Sequence, residues 1–586
     1  MKTLIFDIEA NGFNPDKIFC IVAYEVETKQ LHSFDPSQIK EGAALLSSAD
    51  KLVGHNILGY DIPVIKSLCG VDLDDGRHIV DTLVMSRLFN PTREGGHSLE
   101  NWGAKLGYNK IKYDNFEYFK PEMLEYCERD VMVNYKVYRA LQIESQDFSK
   151  KCIDLEHDVY RIIIQQRANG FKLDVKTAML LVAELNEKLE EAEQEVHKTF
   201  LPKVTVFKLQ PKLTKSGSVS KMAGVIGDNK NVRLSEEEYQ QACSAPSVAI
   251  ERVISEPFNL GSRKQIGEYL VEFGWKPKRF TATGQPMVDE STLEGIKDIP
   301  EAQVIAKYLM LQKRIAQINS WLDAVGEDER VHGNVNSNGA VTGRMTHSSP
   351  NMAQVPSTNS PYGKECRSCW TVDTNKKLVG IDASGLELRM LAHYMNDKEY
   401  TYEILNGDIH TANQKLAGLE SRNQAKTFIY ALLYGAGDEK LGSVVGGNKK
   451  DGDRLRKRFF ANLPAFKSLK DSVSRASAKG YVKGLDGRKL FIRSEHSALN
   501  TLLQGAGAIV MKEALIVLNK LLKEKNYNAK FVANVHDEWQ IETDADIADE
   551  VGQLGVAAIG IAGRNLKLQC QLDGEYNIGN NWYETH

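Results

Sequence analysis

Two acidic segments, far apart in the chain, each close an apolar run. Leu378 to Ile381 leads into Asp382, within Val-Gly-Ile-Asp-Ala-Ser-Gly-Leu-Glu-Leu-Arg (Val379 to Arg389). Phe531 to Val535 leads into His536-Asp537-Glu538, followed by the alternating Trp539-Gln540-Ile541. An ionised carboxylate at the end of a buried strand is costly unless it is paired or binds metal. Two such strands side by side would bring Asp382 and Asp537 together, where magnesium can bridge them to a phosphate. That arrangement suits phosphoryl or nucleotidyl transfer.

A chain of 586 residues exceeds a single core, so two to four domains are expected. No apolar run approaches the roughly 20 residues of a membrane span. The N-terminal Met-Lys-Thr-Leu-Ile-Phe-Asp-Ile-Glu carries acids inside its apolar stretch, unlike a targeting peptide. A cytoplasmic setting with no membrane partner is expected, the host bacterial cytoplasm if the chain is phage-encoded. The net charge of −4 gives no global sign of nucleic-acid binding, so any DNA footprint must be local. Cys366 and Cys369 form one CxxC without a second pair at zinc-finger spacing. The Gly-rich stretch 435–447 lacks dinucleotide and Walker spacing.

The pattern along the chain is α/β. Strands are predicted over Thr3–Ile8 and Ile18–Tyr24, and helices over Asn56–Cys69 and Pro121–Leu141. Asp154 to Phe200 reads as helical, its second half charged. Residues 202–257 are rich in Lys, Gly and Ser and read as a loop-rich insertion, either a linker or a module that touches DNA or a partner. Helical patterns resume over Ser262–Phe273 and Ala302–Trp321.

Near the N-terminus Asp7 and Glu9 are two apart on a strand and share a face. Side by side they repel, so one protonates or both bind a cation. Asp61 lies near a helix start, and Tyr126 and Asp130 are four apart on one helix face. Four acids and a tyrosine can hold two metal ions, with the tyrosine orienting an attacking water. As an ordered set they resemble the DEDD 3′–5′ proofreading exonucleases of the tyrosine subclass. The resemblance implies a ribonuclease-H-like domain over residues 1–145 that hydrolyses a strand from its 3′ end.

Arg422, Lys426, Tyr430 and Tyr434 recur every four residues and form one stripe on a helix. Arg422 to Tyr430 spans about 12 Å at about 1.5 Å per residue, the reach of a nucleoside triphosphate. Cations would meet its phosphates and an aromatic ring its base. The segments 379–389, 422–435 and 535–538 resemble motifs A, B and C of family A DNA polymerases. Thr342-Gly343-Arg344, Phe258-Asn259 with Ser262 and Gln265, Gly484 to Arg488, and Asn500 with Gln504 match further signatures of that family. Asp-Ala-Ser-Gly-Leu-Glu-Leu-Arg and the ending Asn581 to His586 are similar to the replicative podophage group that borrows host thioredoxin.

The resemblance implies a right-hand polymerase after the exonuclease: thumb over 146–330 with the insertion at about 202–257, palm over 331–395 and 496–586, fingers over 396–495. It implies that Asp382 and Asp537, with the Ala383 carbonyl, hold two Mg2+ ions, and that two more lie at the exonuclease acids. Glu538 supports the site. Arg422, Lys426 and His410 would bind the dNTP phosphates, Glu387 would exclude a 2′-OH, and Tyr430 would face the sugar; tyrosine there tolerates dideoxynucleotides. Primer–template DNA would meet Arg344, Tyr434, Asn500, Gln504, His536, Ser262 and Lys264. Implied partners are a helicase/primase, a single-strand-binding protein and host thioredoxin, although the insertion is shorter than that group's thioredoxin-binding loop. Of two rival readings, an exonuclease whose C-terminal block only grips DNA leaves Asp382, Asp537, Arg422, Lys426 and Tyr430 unexplained, and a non-catalytic DNA-binding scaffold leaves the intact acids at both sites unexplained, since unpaired buried acid clusters destabilise a protein that uses no metal.

Overall fold

The computed structural model describes residues 1–586, the side chains of residues 290 and 291 excepted. Its contacts divide the chain into two compact units, Met1–Val175 with Asp323–His586, and Lys176–Leu322.

The first unit opens with a five-stranded sheet. Its strands are β1 (Thr3–Ala10), β2 (Ile18–Glu25), β3 (Gln30–Phe34), β4 (Lys51–Gly54) and β5 (His78–Asp81), in the order β3-β2-β1-β4-β5. β1 runs antiparallel to β2 and parallel to β4. Apolar residues on β1 and β2 alternate between two cores, Leu4, Phe6 and Ile8 on one face and Ile5, Phe19 and Val22 on the other. α1 (Asp61–Cys69) begins at Asp61, five residues later than the predicted helix at 56, because Asn56 is left-handed (φ 64°) and opens a turn. α2 (Pro121–Glu144) has proline in its first turn, where a missing N–H costs nothing.

The continuous helix expected from Asp154 to Phe200 is two helices. α3 (Lys150–Asn169) ends at Gly170, whose φ of 64° suits glycine, and β6 (Phe171–Leu173) separates it from α4 (Val175–Thr199). The second unit also corrects the loop-rich insertion. β7 (Lys203–Leu213), β8 (Val219–Val225), β9 (Asn231–Arg233) and β10 (Ile250–Glu256) form an antiparallel sheet in the order β10-β7-β8-β9. With α5 (Glu236–Ser244) the sheet encloses a small core of Leu209, Ala223, Leu234, Ala242 and Ile250. Lys203, Lys208, Lys221 and Lys230 each lie within 4.0 Å of an acidic side chain, which blunts a phosphate-tracking surface. α6 (Arg263–Glu272) and α7 (Pro300–Ala324) agree with the helical patterns.

The first unit continues with a four-stranded antiparallel sheet. Its strands are β11 (Lys376–Ala383), β12 (Ala529–Val535), β13 (Glu538–Asp544) and β14 (Gly574–Gly579), in the order β12-β13-β11-β14. Between β11 and β12 come α8 (Leu386–Met395), α9 (Ile409–Ala417), α10 (Arg422–Leu433) and α11 (Ala498–Glu524). By length and composition alone α11 could cross a membrane, contrary to the sequence reading, but its apolar side chains line the main core. α12 (Ala548–Asn565) packs on the sheet. A buried ion cluster ties α3 to α11: Glu156 accepts from Arg488 Nη1 at 2.6 Å and Lys512 Nζ at 2.5 Å, while Arg488 also grips Asp486. Removing one member of such a cluster leaves an uncompensated buried charge.

Candidate active sites

The expectation that the two acid-bearing strands are neighbours is wrong in detail. β13 lies between β11 and β12, and Asp382 pairs in register with Glu538. Asp537 reaches Asp382 because it sits in the tight turn of the β12–β13 hairpin, with His536 left-handed at φ 58°. The Ala383 N–H donates to the Asp537 carbonyl at 3.2 Å, fixing one segment against the other. Burial, then the charges of Asp537, Glu538 and Glu575, push the Asp382 carboxyl up to about 7. Two carboxylates that feel each other's charge, with Asp382 shifted toward protonation, fit a cation of hard oxygen preference.

Glu538 is engaged differently. Its Oε1 accepts from Trp582 Nε1 at 2.6 Å and Gln540 Nε2 at 2.5 Å, and its Oε2 lies 3.2 Å from His586 Nδ1 and 3.9 Å from Arg367. Burial alone would raise its carboxyl, but His586, Arg367, Trp582 and Gln540 together lower it. Glu538 thus pins the C-terminal residues against the sheet.

α10 starts with a capping box from Ser421 and Gln424 and buries Ala425, Phe428, Ile429, Leu432 and Leu433. Its other face carries Arg422, Lys426 and Tyr430, with Tyr434 at its end, so the four-residue stripe is real. Gly435 then turns the chain at φ 76°, where a Cβ would meet the His496 carbonyl at 2.3 Å. Tyr430 and Tyr434 stack with centroids 6.4 Å apart, and the His410 ring lies 6.3 Å from Tyr430. Tyr434 donates to Glu387 at 3.0 Å, and Arg344 lies 3.6 Å from the same carboxylate. Burial, then Glu387 and Asp537, raise the Tyr430 hydroxyl, so the stripe ends beside the acids. Arg422 Nε pairs with Asp408 at 2.6 Å. Asn500 and Gln504 are four apart on α11, and His536 is exposed at its turn. Ser262 caps α6 and Lys264 lies 3.9 Å from Glu268, both within the second unit.

The N-terminal acids also converge. Oxygens of Asp7 and Glu9 lie within 4.8 Å of one another and of Cys127 Sγ. The thiol is held protonated by burial and suits a hard cation poorly. Asp61 enters as the first residue of α1 and accepts from the Ile8 N–H at 3.1 Å. Its approach loop is held by Asp81, which accepts from the N–H groups of Asn56 and Leu58. Gly54 is needed there because a Cβ would meet Ile57 at 2.0 Å. Burial and neighbouring acids push Glu9 up to about 8, burial raises Asp61 to about 7, and burial also lifts the Asp130 carboxyl above its ordinary range. Tyr126 packs against Tyr113 and Phe116, and burial raises its hydroxyl to about 12, so it stays protonated.

Two residues here escaped the sequence reading. Lys110 places Nζ 2.5 Å from Asp130 Oδ2, and Phe13 stands 96% exposed in the loop after Glu9. A lysine in a loop and a lone Phe carry no periodic signal. The CxxC sulfurs, by contrast, are buried, and burial pushes Cys369 up to about 12, which does not favour thiolate chemistry.

The acid cluster penalises the metal-free fold in a pH-dependent way. With its folded carboxyl raised, Glu9 takes up a proton that the unfolded chain releases near pH 4.5. The penalty is therefore absent in acid, grows as pH rises, and is complete above about 8. Glu9→Gln is expected to raise the melting temperature of metal-free protein at pH 8 by roughly 2–4 °C and to leave it unchanged at pH 4, as scanning calorimetry would show.

A half-buried carboxylate pair beside a helix that carries Arg422 and Lys426 is the chemistry of proteins that handle polyphosphates through metal ions. Residues 229–584 match the family described as DNA polymerase family A. The chain is 36% identical over its whole length, and the whole of the relative, to the DNA-directed DNA polymerase of Enterobacteria phage T3, and 35% identical to that of Escherichia phage T7 with the same coverage. DNA polymerase I of Bacillus subtilis (strain 168) is 23% identical over 86% of this chain and 55% of the relative. The chain therefore belongs to DNA polymerase family A. Its fold is also that of the polymerase domain of Pol1 from M. smegmatis, solved with DNA primer-template and dNTP, with a TM-score of 0.76 and 18% identity over 99% of this chain and 95% of that one.

Proposed function

We propose that the chain is a template-directed DNA polymerase of the phage replicative type that proofreads with its own 3′–5′ exonuclease. The supporting observation is the meeting of three elements: Asp382 at the end of β11, Asp537 in the hairpin turn, and Tyr430 on the cationic face of α10, whose hydroxyl feels Asp537. On this reading residues 331–395 and 496–586 are the palm, 396–495 the fingers, and 146–330 the thumb. The β7–β10 module is an elaboration of the thumb.

Asp382, Asp537 and the Ala383 carbonyl would hold Mg2+, which supplies Lewis-acid activation of the primer 3′-OH and charge relief at the pyrophosphate. Arg422, Lys426 and His410 bind the triphosphate along α10. Glu387, held by Tyr434, blocks a 2′-OH. Arg344, Asn500, Gln504 and His536 contact the primer–template, and Ser262 and Lys264 contact the duplex from the thumb. The N-terminal domain is ribonuclease-H-like. Asp7, Glu9, Asp61 and Asp130 would hold the hydrolytic metal ions, and the protonated Tyr126 hydroxyl orients the attacking water. Phe13 offers a stacking surface for a terminal base.

Primer extension with Mg2+ and four dNTPs on a primed single strand tests this reading. Template-length product supports it, and primer shortening alone contradicts it. Tyr430→Phe is a finer check. Loss of the hydroxyl at the sugar-facing position is expected to raise discrimination against dideoxynucleotides by at least about tenfold, about 1.4 kcal/mol in relative insertion. An unchanged incorporation ratio would remove Tyr430 from the sugar.

A further inference from the structure

The proposed exonuclease site contains a cation of its own. Lys110 lies in the segment between Tyr108 and Lys120, before α2, and is not a loose surface side chain. Arg129 Nε donates to the Asn109 carbonyl at 2.7 Å, and the Arg129 guanidinium stacks 3.5 Å from the Tyr108 ring centroid. The Tyr108 N–H donates to the Gly103 carbonyl at 2.9 Å. The backbone at Lys110 is thereby clamped to α2, one residue from Asp130. Lys110 Nζ then crosses the Tyr126 ring 4.8 Å from its centroid and ends 2.5 Å from Asp130 Oδ2. Tyr113 and Phe116, from the same segment, pack against Tyr126 with ring centroids 5.5 and 5.9 Å away. Asp130 is buried, and its Oδ1 has no hydrogen-bond partner among the described residues.

We propose that Lys110 is a resident cation of the acid cluster, a positioning residue that neutralises Asp130 and holds Tyr126 until a divalent ion takes the carboxylate. The inference rests on the reading of Asp7, Glu9, Asp61 and Asp130 as metal ligands. One buried carboxylate cannot face both an ammonium and a divalent ion at close range without repulsion between the two cations. Lys110 must therefore yield its contact as metal enters, swinging toward solvent along a side chain still 23% exposed. The site tolerates four clustered acids without metal because Lys110 offsets part of their repulsion, and its affinity for metal is lowered for the same reason.

The test is Mn2+ binding to the full chain, followed by electron paramagnetic resonance of the free ion. An Asp382→Asn, Asp537→Asn background removes the other acid pair. Lys110→Met should bind Mn2+ on the order of tenfold tighter than this background at the N-terminal site, from loss of one repelling charge at close range. Lys110→Arg keeps the charge and should return the affinity to within about twofold. Primer extension by Lys110→Met in the otherwise natural chain should be unchanged, which reports an intact fold. Equal Mn2+ affinity in the Met, Arg and parent proteins would overturn the role of Lys110. A different failure is distinguishable: if Asp7→Ala with Glu9→Ala removes no bound Mn2+ from the same background, the acid cluster is not a metal site at all.

Discussion

Asp382→Ala will lose primer extension on the order of a thousandfold or more, while single-strand degradation stays within about twofold of the parent chain. The expectation follows from where the charge sits. Asp382 closes β11, is pushed up to about 7 by burial and by Asp537, and receives no hydrogen bond from any side chain among the described residues. Its proposed work is to hold metal, so the variant loses that function without breaking a protein–protein contact. Glu538→Gln is the contrasting case. That side chain is tied to Trp582, Gln540 and His586, and glutamine keeps an acceptor for Trp582 Nε1. Its synthesis rate should fall by no more than about tenfold, because support is weakened and not removed. Single-turnover insertion, measured for both variants with melting curves alongside, separates the outcomes. Equal losses would make Glu538 a third metal ligand, and a mild effect at Asp382 would dissolve the proposed polymerase site.

Much of this arrangement is legible in the sequence because charge at the end of an apolar run is rare and informative. Asp382, Asp537, Asp7 and Glu9 are all visible on that ground. So is the α10 stripe, since a four-residue spacing on a helix fixes one face. What is hidden is pairing. Whether Asp537 sits on a neighbouring strand or in a hairpin turn depends on β13 folding back through the left-handed His536, a tertiary choice that the apolar run at 531–535 does not encode. Gly170 shows the opposite limit: helical propensity on both sides outweighs one glycine in a sequence window, yet its φ of 64° and the short β6 split the helix. Between 202 and 257 the lysine, glycine and serine content masks Val204-Thr205-Val206-Phe207, a strand-like run whose partner in β10 lies more than forty residues on. Lys110 is invisible for a simpler reason. Its meaning comes from Asp130, twenty residues away on another element, and from Arg129 holding the Asn109 carbonyl just before it.

Replacing Asp7 and Glu9 together by alanine will abolish degradation of single strands, again by about a thousandfold or more, and leave single-nucleotide insertion within about twofold. The pair shares one face of β1, and its oxygens lie within 4.8 Å of one another. In the metal-free fold they repel, and burial holds Asp7 well above the ordinary carboxylate range. Deleting both therefore removes the proposed metal ligands while relieving an electrostatic penalty, so the double variant should melt no lower than the parent at pH 8 in chelator. A purely structural role for the acids predicts the reverse, lower stability with activity lost in proportion. Asp382 lies in a different sheet with its own core, so no charge is shared between the two acid pairs. Independent loss of the two activities in the two variants is the result that a chain with two separate active sites must give. If the Asp7, Glu9 double variant also stops synthesis while still melting normally, the two activities draw on one site and the assignment of separate domains fails.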